Sequence, residues 1–361
     1  MSKKILHIID NLGLGGAQIC VKGIFEKQDS NVDIFLFSIR KMSIRVNIDH
    51  SNIIENKTKN KFSFPLLSIK KIIKQNNIDT IHCHLAKSQI MGALLKILFF
   101  PKIKLVFHEH GEIFEEAKIY PFLMNLFRKK VDIYIAVSNA TKQKILEKTK
   151  FKESKIKLLY NFVDLDKFKK IKDFDLKAER KKYGLDKDDF VLGFASRLYE
   201  AKGYIDYLEA AKILIDKGYN FKFLIAGEGK DKEKIIEYIL NNRLQNNIKY
   251  IGYIKKMNNF YNTIDCFIFP SHRESLGLTG IEANACGVPV IASNIEGLNE
   301  IMINNKNVLQ FEKQSVGDLV KKIEKIYKDS ELREKLIENG LKEVKKYSLK
   351  KYLTKLNEIY E

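Results

Sequence analysis

The chain has 361 residues, of which 45% are hydrophobic, 11% aromatic and 30% charged, with a formal net charge of +19. That composition supplies cores for two domains and excludes a disordered chain. No apolar run approaches the roughly 20 residues that span a bilayer, and the opening Met1-Ser2-Lys3-Lys4 does not read as a signal peptide.

In chain order, apolar runs at 5–9, 34–38, 80–83, 104–108 and 133–137 read as strands. Helical periods at 16–27, 66–76, 87–99 and 139–148 lie between them. After a charged break at 165–183 the pattern restarts. Strands are predicted at 191–195, 221–226, 249–251, 265–269 and 288–292, and helices at 204–217, 231–241 and 256–264. Long charged helices follow at 315–328 and 331–346. This alternation predicts an α/β protein of two domains, each with a parallel sheet and crossover helices. The expected boundaries are 1–168 and 169–345, followed by 346–361. Four cysteines, Cys20, Cys83, Cys266 and Cys286, are scattered without C-x-x-C spacing. That favours reduced thiols and a cytoplasmic protein. The positive excess is concentrated in the first half, which suggests an anionic partner: a phospholipid surface, a lipid diphosphate or nucleic acid.

The most telling segment is SHRESLGLTGIEANACGVPVIAS, residues 271–293. A turn is expected at 275–280 and a short helix at 281–286. A helix that starts beside glycine offers unpaired N–H groups and a positive dipole end to a phosphate. Glu274 and Glu282 bracket that start, and carboxylates accept hydrogen bonds from hydroxyls. Together they describe a pocket for a sugar nucleotide; the alternative is that the acids merely complement the helix dipole. Arg197 and Lys202, just after the strand at 191–195, are placed to neutralise a diphosphate.

Other patterns narrow the chemistry. NLGLGGAQ, residues 11–18, fails as a dinucleotide fingerprint because Gln18 stands where the third glycine belongs. His82, His84, His108 and His110 fall at two neighbouring strand ends, a tempting zinc site. No cysteine or carboxylate at ligand spacing supports it. D-x-D triplets occur at 164–166, 173–175 and 186–188, and none ends a buried strand. No metal is therefore expected.

Taken together, these motifs resemble the Glu-x7-Glu signature and its companions in retaining GT-B glycosyltransferases, most closely family 4. FASRLYEAKG (194–203) is similar to that family's G-R-L-x-x-x-K-G element, and FLIAGEGK (223–230) to its L-x-I-x-G-x-G turn. YNFVDLDKF (160–168) resembles Y-N-G-V-D-x-x-x-F, with Phe162 where glycine is usual. The likeness runs over nearly the whole chain. It implies a GT-B fold, two Rossmann-like domains facing each other across a cleft. The N-terminal domain would take the acceptor and the C-terminal domain the donor, with 346–361 a helix returning to the first.

The resemblance also implies roles. Arg197 and Lys202 would hold the donor diphosphate, Glu282 the ribose, and Glu274 the sugar hydroxyls near the reacting face. The backbone at Ser275, Leu276, Gly277 and Leu278, with Gly227, would line the donor. Gly15 and Gly16 would form the family's G-G loop, with Gln18 where relatives often carry Glu. His110 would lie beside the donor sugar, with His108 supporting it and Lys87 and Glu112 nearby. Catalysis would then rest on Glu274, His110, Arg197 and Lys202. The leaving phosphate oxygen would take the acceptor proton, so neither a nucleophile nor a metal or other cofactor is needed. The implied reaction moves a hexosyl or N-acetylhexosaminyl unit, with retention, from a UDP- or GDP-linked sugar to a glycan or lipid-linked acceptor. Surface polysaccharide biosynthesis is the implied setting. Residues 92–104 and 121–130 mix apolar and cationic side chains, as expected for peripheral contact with an anionic membrane. A nucleotide-sugar 2-epimerase on the same fold is the alternative. A nucleic-acid-binding role lacks a recognition motif, and Arg is scarce beside Lys.

Overall fold

The computed structural model describes residues 3–13, 15–28, 32–43, 45–58, 60, 64–111 and 119–361. Glu112 lies outside the described residues. The chain divides into two compact units, Met1–Phe162 with Leu349–Glu361, and Val163–Ser348.

Seven strands build the first unit: β1 (Lys3–Asn11), β2 (Val32–Arg40), β3 (Ile53–Glu55), β4 (Thr80–His84), β5 (Lys104–Glu109), β6 (Ile133–Ala136) and β7 (Ile156–Leu158). Their order is β3-β2-β1-β4-β5-β6-β7, and every pair is parallel. Strand alternation splits the core between two faces. Leu6, Ile8, Ile81, Cys83, Leu105 and Phe107 meet helices Leu66–Asn76, Ala86–Leu98 and Tyr120–Phe127 on one side. On the other, Ile5, Ile9, Leu36, Val106 and Ile135 meet helix Gly16–Lys27 and the last helix, Leu349–Tyr360.

Phe162 explains why the first unit ends before the expected residue 168. Its ring is buried, 4.8 Å from that of Tyr352 on the last helix. Helix Gly16–Lys27 makes room for it with Gly23, where an added Cβ would lie 2.3 Å from the Phe162 ring. The bulky residue in place of the family glycine is thus matched by a small one opposite.

The second unit holds β8 (Val191–Ala195), β9 (Lys222–Ala226), β10 (Ile248–Gly252), β11 (Cys266–Phe269), β12 (Val290–Ser293) and β13 (Leu309–Phe311). The order is β10-β9-β8-β11-β12-β13, again parallel throughout. β8 and β11 lie fully buried and carry continuous apolar runs, as sheets covered on both faces require. Buried Arg180 ties helix Leu176–Lys181 to the sheet through Asp265, 2.7 Å away, and the carbonyls of Thr263, Lys187 and Asp189.

Strand order reverses between β1 and β4 in the first sheet and between β8 and β11 in the second. Ligands of open α/β sheets bind beyond the carboxyl ends of strands at such switch points.

Candidate functional site

In the second unit, the turns that leave β8 and β11 are knitted together. Gly203 has φ +70°, and a Cβ there would sit 1.8 Å from the Pro270 carbonyl oxygen, so only glycine allows this approach. The His272 amide donates to the Ala201 carbonyl at 2.9 Å, and His272 Nε2 meets Asp206 Oδ2 at 2.8 Å. This join brings Lys202 to Glu274: Lys202 Nζ lies 2.6 Å from Glu274 Oε1, with both side chains largely buried. Ser271 Oγ donates to the same oxygen at 3.0 Å. Burial alone would lower the Lys202 pKa, but the facing Glu274 carboxylate outweighs it and holds the ammonium above its ordinary value. Arg197 is exposed at the end of β8, its guanidinium 5.2 Å from the Tyr199 ring centroid and hydrogen-bonded to the Tyr199 hydroxyl at 3.3 Å. Lys202 therefore meets a carboxylate at the switch point, with Arg197 near enough to act on Lys202 through its charge.

The helix after this loop runs Leu278–Ala285, three residues earlier at its start than expected. Gly280 was read as turn punctuation. It is instead helical, and a Cβ on it would lie 1.8 Å from Met302 Cε, so packing explains the glycine. The N-cap is Gly277 at φ +86°, a conformation other residues rarely adopt. Ser275 and Leu276 precede it, and Leu278 opens the first turn, whose early amides have no partner within the helix. Glu282 sits one turn further in. Burial pushes its carboxyl up to about 7, opposed by the Tyr261 hydroxyl and by Lys167. Tyr261 donates to Glu282 Oε2 at 2.9 Å. Gly227 follows β9, and its amide donates to the Gly252 carbonyl at 2.8 Å. The chain thus gathers two cations, a glycine-capped helix start, at which the Gly280 amide returns to the Gly277 carbonyl at 3.1 Å, and two carboxylates around the turns after β8 and β11.

In the first unit, Gly15 and Gly16 begin the helix after β1. Gly15 is extended, with φ 176°, so left-handed freedom is not why it is glycine. A Cβ would meet only the far end of the Gln18 side chain, with Oε1 at 2.5 Å. Gln18 is buried, and its amide donates to the Asn11 carbonyl at 3.2 Å, pinning the loop. Asp10 clips the next turn, accepting from the Ser88 amide at 2.7 Å and the Lys87 amide at 3.2 Å. Burial raises its carboxyl to about 6 despite those amides.

His82, His84, His108 and His110 are joined by His7, which sequence patterning did not single out. All five are buried. Register places His7 beside His82 and His84 beside His108. Burial drives His7 and His110 down to about 3 and holds the other three well below the ordinary imidazole value, so all are neutral. Two triplets, His7/His82/His84 and His84/His108/His110, each present one ring nitrogen apiece within 4.8 Å of one another, close enough to consider a metal ion. However, neighbouring rings here are stacked or tilted, and their nitrogens hydrogen-bond one another. A metal would need those same lone pairs turned to one point. Among the described residues, His110 Nδ1 and His108 Nε2 are buried without a partner.

The D-x-D triplets serve turns. Asp164 accepts from the Asp166 amide at 3.0 Å, and Asp175 caps helix Leu176–Lys181 through the Ala178 amide at 2.9 Å. Tyr261, Ser271, Asp10, His7 and Tyr360 are the site-building residues that motif spacing missed. Of these, only Asp10, a carboxylate directly after an apolar strand, carries a local signal.

Comparison with known proteins follows the same division of the chain. A family model described as Glycosyl transferases group 1 matches residues 175–343, and one described as Glycosyltransferase Family 4 matches residues 27–167. A capsular polysaccharide biosynthesis glycosyltransferase, CapM, of Staphylococcus aureus is 31% identical over 265 residues, covering 72% of this chain and 70% of the relative. An Escherichia coli UDP-Gal:α-D-GlcNAc-diphosphoundecaprenol α-1,3-galactosyltransferase is 27% identical over 306 residues, 82% of this chain and 78% of that one. Among solved structures, Anabaena HepE in complex with UDP-glucose superposes with a TM-score of 0.84 at 19% identity, over 99% of both chains.

Proposed function

Because the chain belongs to glycosyltransferase family 4, we propose that it transfers a hexosyl or N-acetylhexosaminyl unit from a UDP-linked sugar to a glycan or lipid-linked acceptor, with retention, in surface polysaccharide biosynthesis. That it is a glycosyltransferase using a nucleotide sugar follows from its family. UDP is favoured over GDP because UDP or UDP-sugars are named for the Escherichia coli relative and for Anabaena HepE.

The observation that carries the reading is the Lys202–Glu274 pair with Arg197 beside it, directly before a glycine-capped helix start. Cations and free amides there suit a diphosphate that leaves with negative charge. In this reading Lys202 and Arg197 hold the diphosphate without a metal, Glu282 accepts from ribose, and Glu274 is released from Lys202 toward the sugar hydroxyls. Ser275 to Leu278 and Gly227 line the donor, while Gly15, Gly16 and His110 serve its sugar. No nucleophile is assigned; the departing phosphate oxygen takes the acceptor proton.

A membrane-presented acceptor has support in the first unit. Ile119, Phe122 and Leu126 are 65, 67 and 64% exposed along one helical stripe, and Lys129 and Lys130 follow. The neighbouring helix Ala86–Leu98 ends in exposed Ile97 and Leu98. Among the described residues no helix is long and apolar enough to cross a membrane. Contact is therefore peripheral in this reading, at the cytoplasmic face.

The test is UDP release from UDP-glucose, UDP-galactose and UDP-N-acetylglucosamine, with and without a lipid-diphosphate glycan acceptor. Acceptor-dependent release, with the anomeric configuration kept in the product, is expected. Donor conversion without acceptor would mean an epimerase instead.

A further inference from the structure

The five buried histidines and Tyr360 form one unbranched hydrogen-bonded chain. His110 Nε2 meets His84 Nδ1 at 2.8 Å, and His84 Nε2 meets His7 Nδ1 at 2.9 Å. His7 Nε2 meets the Tyr360 hydroxyl at 3.3 Å, and that hydroxyl meets His82 Nδ1 at 2.6 Å. His82 Nε2 then meets His108 Nδ1 at 3.2 Å. Among the described residues, the two ends, His110 Nδ1 and His108 Nε2, are the buried ring nitrogens left without a partner.

Proton counting fixes what such a chain can do. A neutral imidazole carries one N–H and one lone pair, and a tyrosine carries one O–H. Each link needs one proton, and a buried link left unmade is costly. Only two arrangements satisfy every link while also keeping the Tyr360 hydrogen bonded within the chain; accepting from both neighbours would strand that buried O–H. In the first, all five histidines carry hydrogen on Nε2 and Tyr360 donates to His82, leaving His110 Nδ1 as an acceptor. In the second, all five carry it on Nδ1 and Tyr360 donates to His7, leaving His110 Nδ1 as a donor. Exchange between them would move one proton across every link and would need a donor at one open end and an acceptor at the other; His108 Nε2 has no such partner among the described residues, so the chain holds one arrangement rather than conducting protons.

We propose that the five imidazoles and the Tyr360 hydroxyl act as one tautomeric unit, so that Tyr360 is a positioning residue that fixes whether His110 Nδ1 donates to or accepts from the donor sugar. The second half of this statement rests on the assignment of His110 to the sugar; the first half does not. A residue of the last helix thereby acts on the sugar through three histidines, His7, His84 and His110. Neutrality of all five rings, which burial enforces, is the condition the chain needs.

The experiment is ¹⁵N NMR of histidine-labelled wild-type protein at neutral pH, with His50, outside the chain and the proposed donor site, as internal reference. All five rings are expected in the same tautomer, and saturating UDP-glucose is expected to polarise them together. In Tyr360→Phe, the His7, His84 and His110 signals should separate from those of His82 and His108. Turnover should fall about tenfold, the size of one weakened hydrogen bond, with the UDP-glucose KM within about twofold. His82→Gln cuts the chain one residue further on and provides the same readout should Tyr360→Phe not fold. Mixed tautomers in the wild type, or stoichiometric zinc binding that shifts these rings, overturn the proposal. If the tautomers couple but neither Tyr360→Phe nor His110→Ala changes turnover, the sugar assignment of His110 fails, and the positioning role with it. If His110→Ala abolishes turnover while Tyr360→Phe leaves His110 unchanged, the chain alone is refuted.

Discussion

Glu282→Gln should stabilise the protein while weakening donor binding. Burial holds the Glu282 carboxyl near 7, against an ordinary value of 4.5. A folded-state pKa raised above the unfolded one contributes fully below about 4.5, and that contribution is lost as pH rises through about 7. At pH 8 the ionised carboxylate is therefore a net cost, of roughly 3 kcal/mol at most, from the gap between those two values. The site is partly reached by water, so the realised figure is smaller. Glutamine keeps an oxygen to accept from Tyr261 but carries no charge. For a unit of this size each kcal/mol moves the melting temperature by about 2–4 °C. Glu282→Gln should then melt roughly 3–8 °C above the wild type at pH 8, with the difference vanishing near pH 4.5. A hydrogen bond to a charged acceptor contributes about 1.5–3 kcal/mol, so UDP-glucose affinity should fall by about ten- to a hundredfold. Thermal denaturation across pH and calorimetric titration with UDP-glucose read the two effects. A variant that melts no higher than wild type at pH 8 refutes the buried-charge argument. Unchanged UDP-glucose affinity refutes the role as ribose acceptor.

Lys202→Met should lower kcat/KM for the donor by about 10²–10³, the usual cost of removing one preorganised counter-charge, measured by UDP release. Lys202→Arg should recover only part, since a planar guanidinium does not reproduce a point contact at 2.6 Å to Glu274. Equal activity in all three proteins would remove Lys202 from the diphosphate site. Phe122→Ser with Leu126→Ser should reduce partitioning onto anionic vesicles by at least about tenfold, as each exposed side chain is worth about 1.5–3 kcal/mol when buried. Melting temperature should not change, because both residues are exposed. Flotation of the double variant alongside wild-type protein would defeat the membrane reading.

What the sequence displayed and what it concealed divide along a physical line. Both sheets were legible because their central strands are buried on two faces and so carry uninterrupted apolar runs, as in 191–195 and 105–107. The edge strands β3, β7 and β13 were not, since three residues are too few to leave a period to detect. Positions fixed by local backbone needs also showed through: Gly203 and Gly277 sit where the chain turns into a helix next to the ligand-facing ends of β8 and β11. Gly280 misled because packing against Met302 and turn formation both select glycine, and one sequence cannot tell them apart.

The hidden residues share a different property. Tyr261 reaches Glu282 from a separate helix, and Tyr360 reaches His7 across 353 residues. Neither contact leaves a spacing to read, because tertiary packing decides it. They also act on the chemistry indirectly, by holding a carboxylate or setting a proton on a ring that would itself meet the substrate. A motif marks groups that a shared ligand constrains, such as Glu274 and Lys202. The partners that tune those groups answer only to the local fold, and many side chains could serve. That is why the donor-binding elements could be aligned with a family, while the Tyr360–histidine chain emerges only once β1, β4, β5 and the last helix are placed together.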